Sequence, residues 1–580
     1  MKKFKEIVGA SGKVESIETG LYGKLLLTTP ELNKGSAFTK KERIEFQLIG
    51  KLPCHIETLE EQVVRYYEEY RSLPNDLIKN KYLSRIRQSS HIAFFALVSS
   101  HLEEMMPIVY TPTIGEAVKR YSYQFDTPSG MHFSYPDINK DNIDGMLQSI
   151  SYPEVDIVVV TDGEGILGIG DWGAGGMDIC IGKSMVYTLC AGVNPRRILP
   201  VHIDVGTNNK QLLNDPMYLG WRSPRIVGKE YEDFVDLVVN SILRHFPNVL
   251  LHWEDFSVAN SRRILKKYRN KLCTFNDDVQ GTGATALASI FSALMITRSK
   301  LVEQRFIIFG AGTAGVGVAD QLVYALIQDG LSEEEARACF WLVDKNGLLV
   351  DGMEDLFDYQ DPYKRSKDDF NDINQGKPVT LLDLVHYVKP TVLIGCSAVA
   401  GAFSRDVVEA MSSYVSIPII LPLSNPTSRS EVAPQNAYDW TEGRVIIATG
   451  SPFENVEYND RSIKISQCNN AFIFPGLGLG VLACGSSRIT DYMLMKAAYA
   501  LAECSPLLHD PNDSLLPSFN QSAAVGRHVA LAVALAAIEE GFAQSVGIDE
   551  LKEKIEEMFW HPSYLPYMYN NKSLFSEDDL

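Results

Sequence analysis

Four acidic residues stand in two adjacent pairs, Glu254–Asp255 and Asp277–Asp278, within a single stretch of the chain. Each pair closes a short apolar run, Val249–Trp253 before the first and Leu272–Phe275 before the second. Such runs read as strands giving way to loops, and in open α/β sheets ligands bind outside the carboxyl ends of the strands. Carboxylates converging there repel one another unless a cation neutralises them. An all-oxygen donor set suits a hard divalent ion, Mg2+ or Mn2+. Acidic surface loops or helix N-caps would give the same pattern, and spacing leaves both readings open.

Two other side chains carry types suited to proton transfer. Lys183 stands at the start of a predicted helix, Ser184–Ala191. Most lysines in such places are solvated, but one held near a cation in apolar surroundings can lose its proton near neutral pH and act as a base. Tyr110 follows an apolar pair where Thr111-Pro112 ends a helix; by spacing alone it is a half-buried packing residue. Between them the strand Asp156–Val160 runs into a stretch with seven glycines from Gly163 to Gly176. That density means tight turns or a backbone that approaches a ligand closely.

A third group of residues points to a dinucleotide. The strand Arg305–Phe309 is followed by Gly310, Gly312 and Gly315 in GxGxxG spacing, with Thr313 and Ala314 inside the motif, and then by a helical pattern. The glycines supply a tight turn and room for a pyrophosphate, and the helix N-terminus is aimed at it. Asp344 ends the next strand, Phe340–Val343, where a carboxylate accepts hydrogen bonds from adenosine ribose hydroxyls. It lies 29 residues after Gly315, beyond the usual separation of about twenty, so glycines serving only a turn remain an alternative. The strand-like runs Thr391–Ile394, Ile417–Leu421 and Val445–Ala448 end in small polar loops, the second carrying Asn425. Asn470 precedes an expected glycine-rich turn, PGLGLG.

The elements that must position these groups are those of a globular α/β protein. The 580 residues are 45% apolar and 22% charged, an ordinary balance. A net charge of −19 speaks against nucleic acid as a partner. No uninterrupted apolar run reaches membrane-spanning length, and the start, MKKFKEIVGASGK, lacks the apolar core of a signal peptide. Nine scattered cysteines without a CxxC pair fit reduced thiols in the cytoplasm. Residues 1–130 read as mostly helical, through Leu59–Arg71 and Ile92–Met106. Further helices are predicted over 283–300, Ile489–Glu503, Ala524–Gly541 and Asp549–Phe559, before an aromatic, polar end that reads as an interface or a draped tail.

The motifs MPIVYTPTIGEA, VVVTDGEGILGIGDWG, IGKSMVYT, DVGTNNKQLLNDPMYLG, EDF, TFNDDVQGTG, FGAGTAG, LVDKNGLL, PLSNPTSR and QCNNAFIFPGLGLG occur in this order. Over nearly its whole length the chain resembles the malic enzymes and their relatives the malolactic enzymes. Its C-terminal half looks most like the bacterial NAD-dependent malic enzymes. The resemblance implies an α/β fold in which a Rossmann-type NAD domain, 278–466, is inserted into a substrate and metal domain, 131–277 and 467–540. The helical region 1–130 would build a homodimer or homotetramer, with 541–580 as a tail. It implies oxidative decarboxylation of L-malate to pyruvate with NAD and Mn2+ or Mg2+. Glu254, Asp255 and Asp278 match the metal ligands, and Asp277 a catalytic residue that orients them. Lys183 matches the base at the C2 hydroxyl, and Tyr110 the acid that protonates C3. Asn425 and Asn470 match contacts to the substrate or the nicotinamide. No nucleic-acid or membrane partner is expected.

Two departures stand out. The family's arginine after the acid of a TDGER-type motif is replaced by Gly165, as in malolactic enzymes, which convert malate to lactate with bound NAD. In the family that arginine holds a substrate carboxylate, so Gly165→Arg is expected to tighten malate binding if the family pose is kept. One arginine of a regulatory carboxylate site corresponds to Arg65, but its partner position carries Ser89, which speaks against fumarate-type activation. A non-catalytic NAD sensor, the third reading, has no use for a base, an acid and a metal together.

Overall fold

The computed structural model describes residues 4–9, 14–125, 127–150, 154–354, 356–370 and 379–570. The chain forms two compact units, residues 1–256 with 546–580, and residues 257–545.

In the first unit the expected helical start is present. Leu59–Ser72 begins at a capping box between Thr58 and Glu61, and Asp76–Ser89 at Asn75, whose side chain accepts from the Ile78 amide. The helix expected over Ile92–Met106 is two helices, His91–Ser100 and Leu102–Val109, separated by His101 in a non-helical conformation. Behind them, parallel strands lie in the order Met131–Ser134, Ile198–Asp204, Ile157–Thr161, Leu250–Trp253. The last three are buried along their whole length, which is why they read as unbroken apolar runs rather than alternating ones.

The helix Met177–Ala191 packs on this sheet and ends at Gly192, whose left-handed φ of 60° closes it. It starts seven residues earlier than the sequence suggests. Gly173–Gly176 form a 3-10 turn that feeds into it, so the last glycines of the rich stretch are helix entry rather than loop. Lys183 therefore sits in mid-helix. The C-terminal segment is not a draped tail. Its strand Tyr567–Tyr569 runs parallel to Val14–Thr19, and Tyr567 is buried with Phe38 and Phe46.

In the second unit a sheet runs 347–348, 340–344, 306–309, 392–395, 419–422, 446–449, 466–467. It is parallel except for the 347–348 edge. The strand order reverses direction between 306–309 and 392–395, and at such a switch point a crevice opens at the carboxyl edge. Residues 467–540, expected with 131–277, cluster in this unit because their helices pack within it. Thr282–Thr297 lies against both Thr313–Gln328 and Asp491–Glu503, and Ser522–Glu539 against Phe474–Cys484. The expected PGLGLG turn is helical, part of Phe474–Cys484. A Cβ on Gly480 would stand 2.4 Å from the Ala530 carbonyl, and one on Gly476 2.8 Å from that of Gly526. These glycines, one turn apart, let two helix backbones approach. The stretches Asp277–Thr297 and Phe519–Glu539 are as long and apolar as membrane spans, but 78% of the first is buried inside the protein.

Candidate active site

In the first unit a strand end and a helix bring Glu254, Asp255, Lys183 and Tyr110 together. Glu254 and Asp255 follow directly on the strand Leu250–Trp253, and both are buried. Asp255 adopts a left-handed φ of 54°, a conformation that costs about 1–3 kcal/mol in a non-glycine residue and clusters at functional sites. Its carbonyl accepts from the Gly165 amide at 3.0 Å, and the Glu254 amide donates to the Val160 carbonyl at 2.9 Å. On the helix, Lys183 is 2% exposed and its Nζ lies 3.0 Å from Glu254 Oε1. The same ammonium sits 5.4 Å over the ring of Tyr110, the residue that ends Leu102–Val109. A Cβ at Gly182 would stand 2.6 Å from Ile114 Cδ1 and 3.1 Å from Tyr110 Cδ2, so a glycine before the lysine lets the tyrosine lie against the helix. A buried pair of this kind does little for stability, because desolvation offsets the attraction. It brings a lysine, a tyrosine and a carboxylate together in the buried interior of the first unit.

The glycine-rich loop is held by groups that sequence reasoning did not single out. Arg225 donates to both oxygens of Asp171, at 2.7 and 2.8 Å, and to the Asp162 carbonyl at 2.9 Å. Tyr231 donates to Asp162 Oδ2 at 2.7 Å. Burial pushes the Asp162 carboxyl up to about 6 despite the opposing charge of Arg225. Asp171 also accepts from Thr207 Oγ1 and the Asn208 amide, so the GTNN motif anchors this loop. The sequence signal is an aspartate just before the glycine run, Asp162, and a second inside it, Asp171.

Gly165 leaves no space for a side chain. A Cβ there would meet the Phe256 carbonyl oxygen at 2.4 Å. The expectation that Gly165→Arg tightens malate binding is thereby reversed, since an arginine needs that Cβ first. Arg65 is committed to Glu57 in a two-pronged pair, 2.7 and 2.8 Å, and this arginine holds the Glu57 carboxyl down at about 2.

In the second unit Asp277 and Asp278 open a π-helical turn, Asp277–Gly281, at the head of Thr282–Thr297. Such turns recur at functional sites. Asp277 is buried and accepts from Asn470 Nδ2 at 3.1 Å, while Asp278 is half-buried. Asn470 also donates to Thr282 Oγ1 and accepts from Thr285 Oγ1, so it is built into this turn.

At the carboxyl edge of the sheet, Gly310 has a φ of 112° and Gly315 has no room for a Cβ, which would stand 2.0 Å from the Gly310 carbonyl. Gly312 faces open space, and Thr313 and Ala314 begin the helix Thr313–Gln328. An open glycine before a helix N-terminus fits a dinucleotide pyrophosphate. Asp344 accepts from Gln360 Nε2 at 3.0 Å, and the same nitrogen donates to the Ala311 carbonyl at 2.8 Å, tying the carboxylate to the glycine turn. Asn425 Oδ1 accepts from Ser451 Oγ. Buried Glu431 gathers the Ser397 amide and the Ser397 and Ser424 hydroxyls, so the loops after 392–395 and 419–422 share one carboxylate.

Comparison with known proteins matches residues 87–269 to the family described as malic enzyme, N-terminal domain, and residues 279–538 to malic enzyme, NAD binding domain. An NAD-dependent malic enzyme of Pseudomonas savastanoi pv. phaseolicola is 47% identical over 547 residues, 94% of this chain and 97% of the relative. One of Acinetobacter baylyi is 47% identical over 546 residues, 94% of this chain and 96% of the relative. Among solved structures, malic enzyme from Pyrococcus horikoshii Ot3 superimposes with a TM-score of 0.53 at 24% identity, covering 79% of this chain and 89% of its own. The Entamoeba histolytica malic enzyme gives 0.55 at 20% identity, covering 88% and 90%. At these identities the two structures speak for the fold alone.

Proposed function

Because the chain belongs to the malic enzyme family, we propose that it oxidatively decarboxylates L-malate to pyruvate and carbon dioxide, reducing NAD+ in a divalent-cation-dependent reaction. The observation that carries the site assignment is the buried contact of Lys183 with Glu254 beneath the Tyr110 ring. Lys183 takes the proton of the C2 hydroxyl as hydride leaves C2 for the nicotinamide. The C3–C4 bond then breaks, the C4 carboxylate leaves C3 as carbon dioxide, and Tyr110 protonates C3 of the enol that remains. The adjacent buried carboxylates Glu254 and Asp255, with Asp278 as third ligand, offer only oxygen donors and fit Mn2+ or Mg2+. When bound, such an ion withdraws electrons from the C2 carbonyl. Asp277 orients this set, itself held by Asn470. Gly310, Gly312, Thr313, Ala314 and Gly315 receive the pyrophosphate, Asp344 the adenosine ribose, and Asn425 and Asn470 the nicotinamide and substrate. A cytoplasmic homodimer or homotetramer completes the reading.

One observation favours a second reading. Gly165 matches malolactic enzymes, and the backbone around it excludes the arginine of the usual motif. The deciding experiment incubates the protein with L-malate, NAD+ and Mn2+ and quantifies pyruvate, lactate and NADH together. Equal pyruvate and NADH are expected. Stoichiometric lactate without NADH would overturn the proposal in favour of the malolactic reaction, and no turnover would favour a sensor.

A further inference from the structure

Lys183 and Tyr187 are four residues apart on the helix Met177–Ala191 and share one of its faces. His252 and Glu254 are two residues apart along the strand Leu250–Trp253 and its continuation, and so share one face of the sheet. The two faces meet in two parallel rungs. In the first, Lys183 Nζ reaches Glu254 Oε1 at 3.0 Å. In the second, the Tyr187 hydroxyl reaches His252 Nδ1 at 2.8 Å. A crosspiece joins them, His252 Nε2 to Glu254 Oε2 at 2.9 Å. Tyr187 and His252 are fully buried.

The chemistry of the partners sets the direction of each bond. A carboxylate only accepts, so His252 Nε2 carries the hydrogen. In the neutral ring Nδ1 is then the acceptor, and Tyr187 donates to it. The tyrosine thus selects the tautomer that Glu254 needs. Both carboxylate oxygens acquire separate partners, Lys183 for one and His252 for the other. A terminal carboxylate torsion is otherwise broad, and two fixed donors on opposite oxygens remove that freedom.

We propose that His252, backed by Tyr187, is a positioning residue for the cation site, holding the Glu254 carboxylate in the one orientation that serves both the ion and Lys183. This rests on the reading of Glu254 as a metal ligand. Partners of this kind behind a ligand are worth 10–100-fold in metal affinity where they have been removed.

The test measures Mn2+ binding to the full chain by electron paramagnetic resonance, without malate or turnover, alongside NAD+ binding and thermal melting. His252→Leu is expected to weaken Mn2+ binding tenfold or more with the NAD+ dissociation constant within twofold of the parent. His252→Gln, whose Nε2 can still donate to Glu254, is expected to recover most of that loss. Tyr187→Phe, which leaves the ring in place and removes only the tautomer-fixing hydroxyl, is expected to weaken Mn2+ binding by a smaller factor. Mn2+ affinity of His252→Leu within twofold of the parent, while Glu254→Ala loses the ion, overturns the positioning role alone. Unchanged Mn2+ affinity in Glu254→Ala overturns the ligand assignment on which it rests. Parallel loss of NAD+ and Mn2+ binding in His252→Leu, or no recovery in a His252→Gln protein that melts like the parent, also overturns the positioning role.

Discussion

Replacing Gly165 by alanine adds one carbon where the backbone leaves no room for it. That carbon would stand 2.4 Å from the Phe256 carbonyl oxygen, about 1 Å inside ordinary contact distance. The obstacle is backbone, so no side chain can swing away. Relief requires Gly165 to separate from the Asp255–Phe256 segment, which stretches the 3.0 Å bond from the Gly165 amide to the Asp255 carbonyl. Overpacking of this kind costs about 1–3 kcal/mol, and the weakened hydrogen bond about 1 kcal/mol more, so Gly165→Ala is expected to lose about 2–4 kcal/mol. Asp255 already holds a left-handed φ, and any shift there misplaces its carboxylate. If about 1.4 kcal/mol of the strain falls on that residue, Mn2+ affinity drops about tenfold. Calorimetric melting and Mn2+ titration of Gly165→Ala read the two effects separately, and Gly165→Arg should show weaker malate binding, not tighter. An alanine variant that melts and binds Mn2+ like the parent would refute the reasoning.

Other outcomes follow from the same geometry. Lys183→Ala should abolish hydride transfer, whereas Tyr110→Phe should spare oxidation more than it spares release of the ketonised product; single-turnover experiments that find both variants blocked at one step would contradict the division. With Asp344 at the carboxyl end of its strand and neutral Gln360 bridging it to Ala311, kcat/KM should be higher with NAD+ than with NADP+, and Asp344→Ala should narrow the gap. Burial holds His132 down at about 4, between the Tyr121 hydroxyl and His202. A folded-state value below the unfolded 6.5 means stability present above that pH and lost as pH falls through about 4, at most about 3 kcal/mol. Asp162, raised to about 6, has the opposite sign and loses its contribution as pH rises. The check is therefore a single-site variant: His132→Gln should flatten the fall in melting temperature between pH 7 and pH 4.

Sequence made the strand ends legible because apolar runs of parallel strands are unbroken and their terminal acids and glycines are sharp punctuation. Glu254, Asp255, the GxGxxG turn and Asp344 all lie where such a reading puts them. Glycine was harder to interpret, since one residue type serves a 3-10 helix entry at Gly173–Gly176, helix contact at Gly476 and Gly480, and an occluded Cβ at Gly165. The pairing of His252 with Tyr187 leaves no mark in the sequence, because it joins a period of two on a strand to a period of four on a distant helix. The clustering of 467–540 with the second unit was equally hidden, because helix-on-helix burial between remote segments leaves no mark on either segment alone.

The strand Tyr567–Tyr569 completes a sheet begun by Lys5–Val8 and Val14–Thr19, and its first tyrosine fills a core built by Phe38 and Phe46. During synthesis those early residues leave the ribosome more than five hundred positions ahead of their partner. The second unit, contiguous from 257 to 545, has by then emerged in full and can fold as a unit. The nascent first unit meanwhile keeps an open sheet edge and an unfilled aromatic pocket, so chaperone demand in the cell should fall on its N-terminal segment until the last residues of that sheet are made.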